Sequence, residues 1–394
     1  MHSKLTLNRR RFLEFGSKGF TGFFLGSSLR GQAQLSHPPL YENISTLLPL
    51  QDPDHNGIRL PAGFQSREIA RSDHIVLPGS DFRWHHASDG GACYATEDSG
   101  WIYVNNCEVD EGRGGVSALR FNARGELVDA YPILRNTNNN CAGGKTPWNT
   151  WLSCEEVEFG LVYECDPFGH AQALPRPALG RFEHEAVAVD PINGHLYLTE
   201  DVEDGGFYRF VPERSLPDLD QGRLEIAEVV EQGNSSTIVW HPVPDPLAET
   251  EHTRYQIPSS TSFNGGEGIA WSAGKVYFTT KGDNRVWIYD TGSQQISILY
   301  DAETADNPEL TGVDNVTITA SGDVLVAEDG GDMQLVLLSF NGTPIPVLQV
   351  TGQDESEICG PAFSPDFQRL YFTSQTGPSN QDNDGRIYEI SYSG

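Results

Sequence analysis

The chain has 394 residues and a formal net charge of −29 at neutral pH. So large an acidic excess repels nucleic acid and anionic membrane surfaces, so no nucleic-acid partner and no stable membrane association are expected. Disorder is the usual fate of acidic chains, but 7 Trp, 14 Tyr and 19 Phe with strand-like alternation point to a packed protein.

Residues 1–33 read as a twin-arginine signal peptide. Asn8-Arg9-Arg10-Arg11-Phe12-Leu13 supplies the paired arginines and the apolar residues after them. A weakly apolar run from Gly19 to Leu29 follows, and Gly31-Gln32-Ala33 is a small-residue cleavage site. The run is too short to span a bilayer as a stable helix. The expected partner at this stage is the twin-arginine export machinery, and the expected location is periplasmic or secreted. That route carries folded proteins, which favours a cofactor loaded before export. Residues 34–394 are expected to form one domain and to act as a monomer.

From there a short pattern recurs: a turn containing Gly, Asn or Asp, a β-branched or aromatic strand, and then often an acid. Ser99-Gly100-Trp101-Ile102-Tyr103-Val104 leads to Asn106 and Glu108, and Asn149-Thr150-Trp151-Leu152-Ser153 to Glu155 and Glu156. Further copies end at Glu200 and Asp201, Lys281 and Asp283, Glu328 and Asp329, and Ser374 and Gln375. Most copies lie about 45 to 50 residues apart, the period of a four-stranded propeller blade. The longer interval between Tyr197 and Tyr277 holds Pro- and Asp-rich sequence, Pro212 to Gln221 and His241 to Glu251, which reads as loop insertions. Six copies predict an all-β, six-bladed β-propeller with loop insertions.

A second element precedes several of these strands: an acid or thiol in a Gly- or Asn-rich loop, then a small apolar strand. Cys141, Glu185, Glu267 and Asp314 occupy this position, and Glu357-Ile358-Cys359-Gly360 is a further copy. In a propeller the innermost strands line the axis, so such residues converge there. Glu108, Glu156, Glu200 and Glu328, at the ends of second strands, would sit just outside them, with Asn106 beside Glu108. An isolated acid in a turn is ordinarily just solvated, as expected for Glu111, Glu126, Asp220, Glu249 and Glu251; repetition at one phase singles out the others. Clustered buried carboxylates need cations. Calcium satisfies hard oxygen ligands, whereas the thiol of Cys141 calls for a transition metal. His85 and His86 are expected to be structural, and His184, next to Glu185, is the better histidine candidate. Six cysteines leave fifteen possible pairings, and if Cys141 is a ligand at least one more thiol should be free.

These motifs resemble the PhoX-type alkaline phosphatases. The resemblance lies in Cys141-Ala-Gly-Gly-x-Thr-Pro-Trp-x-Thr-Trp-Leu-x-Cys-Glu-Glu156, Gly180-Arg-Phe-x-His-Glu-Ala186, Leu196-Tyr-Leu-Thr-Glu-Asp201, Phe207-Tyr-Arg-Phe210, Glu267-Gly-Ile and Ala327-Glu-Asp-Gly330. It implies an exported six-bladed propeller that hydrolyses small phosphate esters with iron and calcium held by a Cys and several Glu. Cys141 and Glu156 match best, followed by Glu185, Glu267 and Glu328. One departure is Asn106-Cys107-Glu108, where the family tends to have Asn-His-Glu; the chain is also much shorter than the family's well-known enzymes. Lys281, Arg285 and Arg181 are candidates for contacts to the substrate's charge. Two alternatives stay open. One is a calcium-dependent propeller hydrolase of lactonase or phosphotriesterase type, and the other a non-catalytic, calcium-stabilised binding propeller.

Overall fold

Continuous apolar runs such as Leu370-Tyr371-Phe372 produce strands buried on both faces, and 26 strands form among the described residues. The computed structural model describes residues 38–42, 47–233, 235–305 and 308–393. The twin-arginine segment lies outside them. Residues 38–394 form one compact unit, whose helical turns, among the described residues, are all short 3-10 segments. No helix among the described residues is long and apolar enough to cross a membrane.

The strands pair antiparallel in five hydrogen-bonded sheets that make six blades. The inner strands are Ser88–Ala95, Asn140–Lys145, His184–Asp190, Gly266–Ser272, Val313–Ile318 and Ile358–Phe363, belonging to blades 1 to 6 in that order. Each touches the next around the ring, and the sixth touches the first, so the ring is closed. The second strands are Trp101–Cys107, Trp151–Glu155, His195–Glu200, Lys275–Thr280, Val324–Glu328 and Arg369–Ser374. Tight turns join inner and second strands; that of blade 3 needs Gly194 at φ 70°.

The insertion expected between Tyr197 and Tyr277 is only partly loop. Gly222–Gln232, the outer strand of blade 3, pairs with an extra strand, Ser235–Pro242, which in turn pairs with Gln295–Asp301, the outer strand of blade 4. Two blades thereby share one nine-stranded sheet. The alternating residues Ile238 and Trp240 supply the apolar face of this bridging strand.

Blade 6 takes its outer strand from the other end of the described chain. Phe64–Arg71 pairs with Arg386–Tyr392 over seven residue pairs, so the two ends are fastened together within one sheet and one set of edges is removed. Aromatic stacking fills the gaps between blades: Tyr103 lies 5.1 Å from Tyr371 across the join of blades 1 and 6, and Phe207 lies 4.5 Å from Phe278 between blades 3 and 4. At the closing join the Tyr371 hydroxyl donates to the buried Glu389 carboxylate at 2.7 Å and accepts from Trp101 Nε1 at 3.0 Å. Tyr371→Phe removes both bonds without opening a large void. We expect a loss of about 1–3 kcal/mol, read as a lower urea midpoint at an unchanged denaturant slope.

Candidate metal centre

All six inner strands break register near the same step, so each carries one extra residue there. Such a bulge re-aims a side chain. Register against the second strands makes Ser88, Asn140, His184, Gly266, Val313 and Ile358 equivalent, each facing the last residue of its second strand. The residues that follow are Asp89, Cys141, Glu185, Glu267, Asp314 and Cys359: one potential ligand per blade, all buried. Beyond them the axis narrows and admits only small residues. A Cβ on Gly90 would lie 2.5 Å from Ala142 Cα, and one on Gly268 would lie 2.5 Å from Val316 N.

Above this tier stands a second, formed by the residue just past each second strand: Glu108, Glu156, Asp201, Lys281, Asp329 and Gln375. These side chains, with Cys141, Glu267, Asp314 and Glu357, line a cavity of about 370 Å³. The two tiers, together with Glu357, hold five ligand triads whose donor atoms lie within 4.8 Å of one another: Asp89–Glu357–Cys359, Asp89–Glu108–Cys141, Cys141–Glu156–Glu185, Glu185–Glu267–Asp314 and Asp314–Asp329–Glu357. Each triad shares a corner with the next, and the last shares Glu357 with the first, so the donors form a closed ring.

The electrostatics require cations. Burial, then mutual repulsion, raises the carboxyls of Glu156, Glu185, Glu267 and Glu357 well above the ordinary range. Burial likewise pushes Glu108 and Asp314 up to about 8. The thiols of Cys141 and Cys359 are raised by burial and by the acids around them. Among the described residues Lys281 is the one cation lining the cavity. Its Nζ lies 2.8 Å from Glu267, 3.3 Å from Asp329 and 3.9 Å from Asp201, and these acids keep it protonated against its own desolvation. Glu185 is 0% exposed and neither of its oxygens has a hydrogen-bond partner. A carboxylate left so takes up either a proton or a cation. The donor set therefore fits a metal cluster: hard carboxylates for calcium-like ions, with sulfur available for a softer one.

Of the residues singled out from sequence, Cys141, Glu156, Glu185, Glu267, Asp314 and Glu108 come together in this ring, and Lys281 faces it. The other four do not. Glu200 accepts from Gly206 N, Tyr208 Oη and Arg254 Nη1, all at 2.7–2.8 Å. Glu328 accepts from Thr311 N at 2.8 Å and Gln334 N at 3.0 Å. Both are the last residues of second strands, turned away from the cavity to hold their blade's own loops, as Glu155 is through Asn138 N and Leu161 N. Asn106 is also occupied. Its amide donates to the carbonyls of Cys141 and Ala142 and accepts from Trp151 and Ser153. Asn106 thus fixes the next blade's bulge, as Thr199 does for Glu267 and Thr279 for Asp314. Arg285 lies on a third strand, paired with Asp283 and Asp301, and does not line the cavity.

Other expectations are corrected or supported in the same way. Arg181 packs over the Phe159 ring, and His184 is buried against Phe182 with Nε2 on the Gly180 carbonyl. His85 bridges Ser117 and Asn105, and burial lowers it to about 4, in keeping with a structural role. Cys107 points at the Arg113 carbonyl rather than into the ring, so the thiol in the Asn-Cys-Glu sequence leaves the centre intact. All six cysteines are unpaired and buried. Sequence reasoning missed Asp89, Cys359, Glu357, Asp201 and Asp329 as donors; all but Glu357 stand at repeat positions already recognised in other blades.

The model of the alkaline phosphatase PhoX family matches residues 115–159, 157–297 and 287–377, well over half the sequence. The chain belongs to the PhoX alkaline phosphatase family. Membership sets the reaction class, metal-dependent hydrolysis of phosphoric esters. No curated protein matches in sequence. Among solved structures, Pseudomonas fluorescens PhoX in complex with vanadate, a transition state analogue, aligns with a TM-score of 0.71 at 16% identity, over 88% of this chain and 97% of that one. A Bacteroides thetaiotaomicron protein of unknown function aligns with a TM-score of 0.52 at 9% identity, over 83% of this chain and 76% of its own. The calcium-binding protein regucalcin from Agrobacterium tumefaciens reaches 0.49 at 13% identity, over 82% and 94%, too loose a match to argue from. At these identities the PhoX likeness establishes the propeller fold.

Two outcomes test the centre. Glu108 and Asp314 bind protons more tightly folded than unfolded, so without metal their contribution is fullest below about pH 4.5 and is lost as the pH rises toward 8. The melting temperature of metal-free protein should fall over that window, and calcium should remove the slope. Glu328→Gln, by contrast, should keep the full metal content while costing about 1–3 kcal/mol of stability; loss of metal on elemental analysis would return Glu328 to the ligand set.

Proposed function

We propose that this propeller hydrolyses phosphate monoesters at an iron–calcium cluster held in the ring of triads, and that it works after twin-arginine export as a periplasmic or secreted monomer. The observation that carries the reading is Glu185, buried with both oxygens unpartnered at a corner shared by two triads. In the family assigned to this chain, such a centre is the phosphatase site. Cys141 supplies the soft donor for iron, with Asp89, Glu108, Glu156 and Glu185 around it; the all-oxygen triads Glu185–Glu267–Asp314 and Asp314–Asp329–Glu357 suit calcium. When bound, such ions supply Lewis-acid polarisation of a phosphoryl group.

The chain's own residues have separate tasks. The acids of both tiers repel a phosphate dianion until cations neutralise them, so substrate binding depends on metal loading. Lys281, half-exposed at the mouth, offers an ammonium to the substrate's oxygens while its position is fixed by Glu267. The cavity of about 370 Å³ accommodates a phosphate group with a small ester substituent, and its polar lining leaves the alcohol portion little to grip.

The exported protein should contain iron and calcium and release a chromogenic alcohol from its phosphate monoester. Chelation should abolish turnover, and Cys141→Ser should lose part of its iron before any calcium. Lys281→Gln should raise KM roughly tenfold or more, the scale of one charge-assisted hydrogen bond. Calcium without iron, and no monoester turnover, would overturn the proposal in favour of a calcium-only hydrolase or a binding propeller.

A further inference from the structure

The centre contains a second thiol that the phosphatase reading does not use. Cys359 is 0% exposed, and its place in blade 6 is that of Cys141 in blade 2. Ile358 pairs with Ser374 as Asn140 pairs with Glu155, and the thiol-bearing residue comes next in both blades. Its sulfur lies in a triad with Asp89 and Glu357, and Asp89 also belongs to the triad of Cys141 and Glu108. One carboxylate thus stands between two positions that each have a thiol.

The neighbours of Cys359 differ from those of the cysteines outside the ring. Cys154 sits in the apolar core between blades 2 and 3, Cys165 points at the Tyr163 carbonyl, and Cys107 at the Arg113 carbonyl. Cys359 faces carboxylates instead. Asp89 is placed to bridge. Its two oxygens accept from Gly90 N at 2.5 Å and from Gln375 Nε2 at 2.9 Å, which leaves each with a further lone pair. Gln375 also donates to Glu108 at 2.6 Å, so one amide aligns the acids on both sides of the bridge. That the ring as a whole awaits cations follows independently from Glu185, whose two oxygens are buried and unpartnered two corners away.

We propose that Cys359 is a second thiolate ligand, so that the centre holds two transition-metal positions, one on Cys141 and one on Cys359, with Asp89 between them. The inference rests on the metal-centre reading above and adds to it. A soft cation bound among these acids makes the thiolate the stable form of Cys359. Thiolate donors select iron-like metals over calcium, so blades 2 and 6 become the soft side of the ring, and the triads formed between blades 3, 4, 5 and 6 its hard side.

X-ray absorption at the metal edge, with thiolate-to-metal charge-transfer absorption on the same samples, decides this for the metal-loaded full chain. Cys141→Ser should keep a sulfur shell and about half the charge-transfer intensity, with Cys359 supplying what remains. Cys359→Ser should show the converse, the double variant should lose all sulfur signal, and Cys154→Ser should match the parent. Should Cys359→Ser fail to fold, the Cys141→Ser sample alone is sufficient. Complete loss of sulfur ligation in Cys141→Ser, with iron still bound and monoesters still hydrolysed by the parent, overturns the second thiolate and leaves the phosphatase reading standing. A parent that binds no transition metal overturns both.

Discussion

Every feature of the centre depends on one backbone irregularity repeated six times. A regular inner strand would alternate its side chains between the faces of the blade and leave the axis lined by small apolar residues. The bulge adds a residue near one height in each blade and turns one side chain toward the centre of the ring. Because the six bulges fall near the same step, six donors converge on the axis, and like charges are held together that would separate in a flexible chain. The stiffness comes from neighbouring blades. Asn106 fixes the bulge of Cys141, Thr199 that of Glu267 and Thr279 that of Asp314, so blades 1, 3 and 4 each hold the next.

Three consecutive positions at the end of the second strand divide the remaining work in blades 1, 3 and 4. In Asn106-Cys107-Glu108 and Thr199-Glu200-Asp201 the first residue clamps the following blade, the second faces its own blade, and the third faces the cavity. Strand periodicity enforces this division, since neighbours point to opposite sides. It also explains what the sequence made legible. The blade count, the convergence of one residue per blade and the donors Cys141, Glu185, Glu267 and Asp314 follow from a repeat that survives in the letters. Assigning Glu200 and Glu328 to the same tier as Glu108 and Glu156 was an error of one residue in phase. The acids one step later, Asp201 and Asp329, are the ones that face the cavity. Nothing local distinguishes the two members of a Glu-Asp pair; only the register of the sheet does.

Asp89 was illegible for a different reason. It sits in Ser-Asp-Gly-Gly, a sequence typical of a solvated turn, and its burial arises from blade 2 packing over Gly90. Cys359 lies in a recognised copy of the repeated element, Glu357-Ile358-Cys359-Gly360, but the letters do not say whether its acid or its thiol stands at the phase of Cys141; the pairing of Ile358 with Ser374 does. In both cases the informative contact joins residues far apart in the chain. Arg285 failed as a substrate contact for the opposite reason: a local ion pair with Asp283 and Asp301 consumes the charge that made it attractive.

The pairing of Phe64–Arg71 with Arg386–Tyr392 joins two segments far apart in the chain and completes blade 6. Asp89 of blade 1 depends on that blade, because Gln375 and Cys359 stand beside it there. Opening this one seam would turn the closed ring of donors into an arc, with a gap on the side where blade 6 stands. The seam is thus a clasp on the centre as well as on the fold, and any loosening of it would be felt at Asp89.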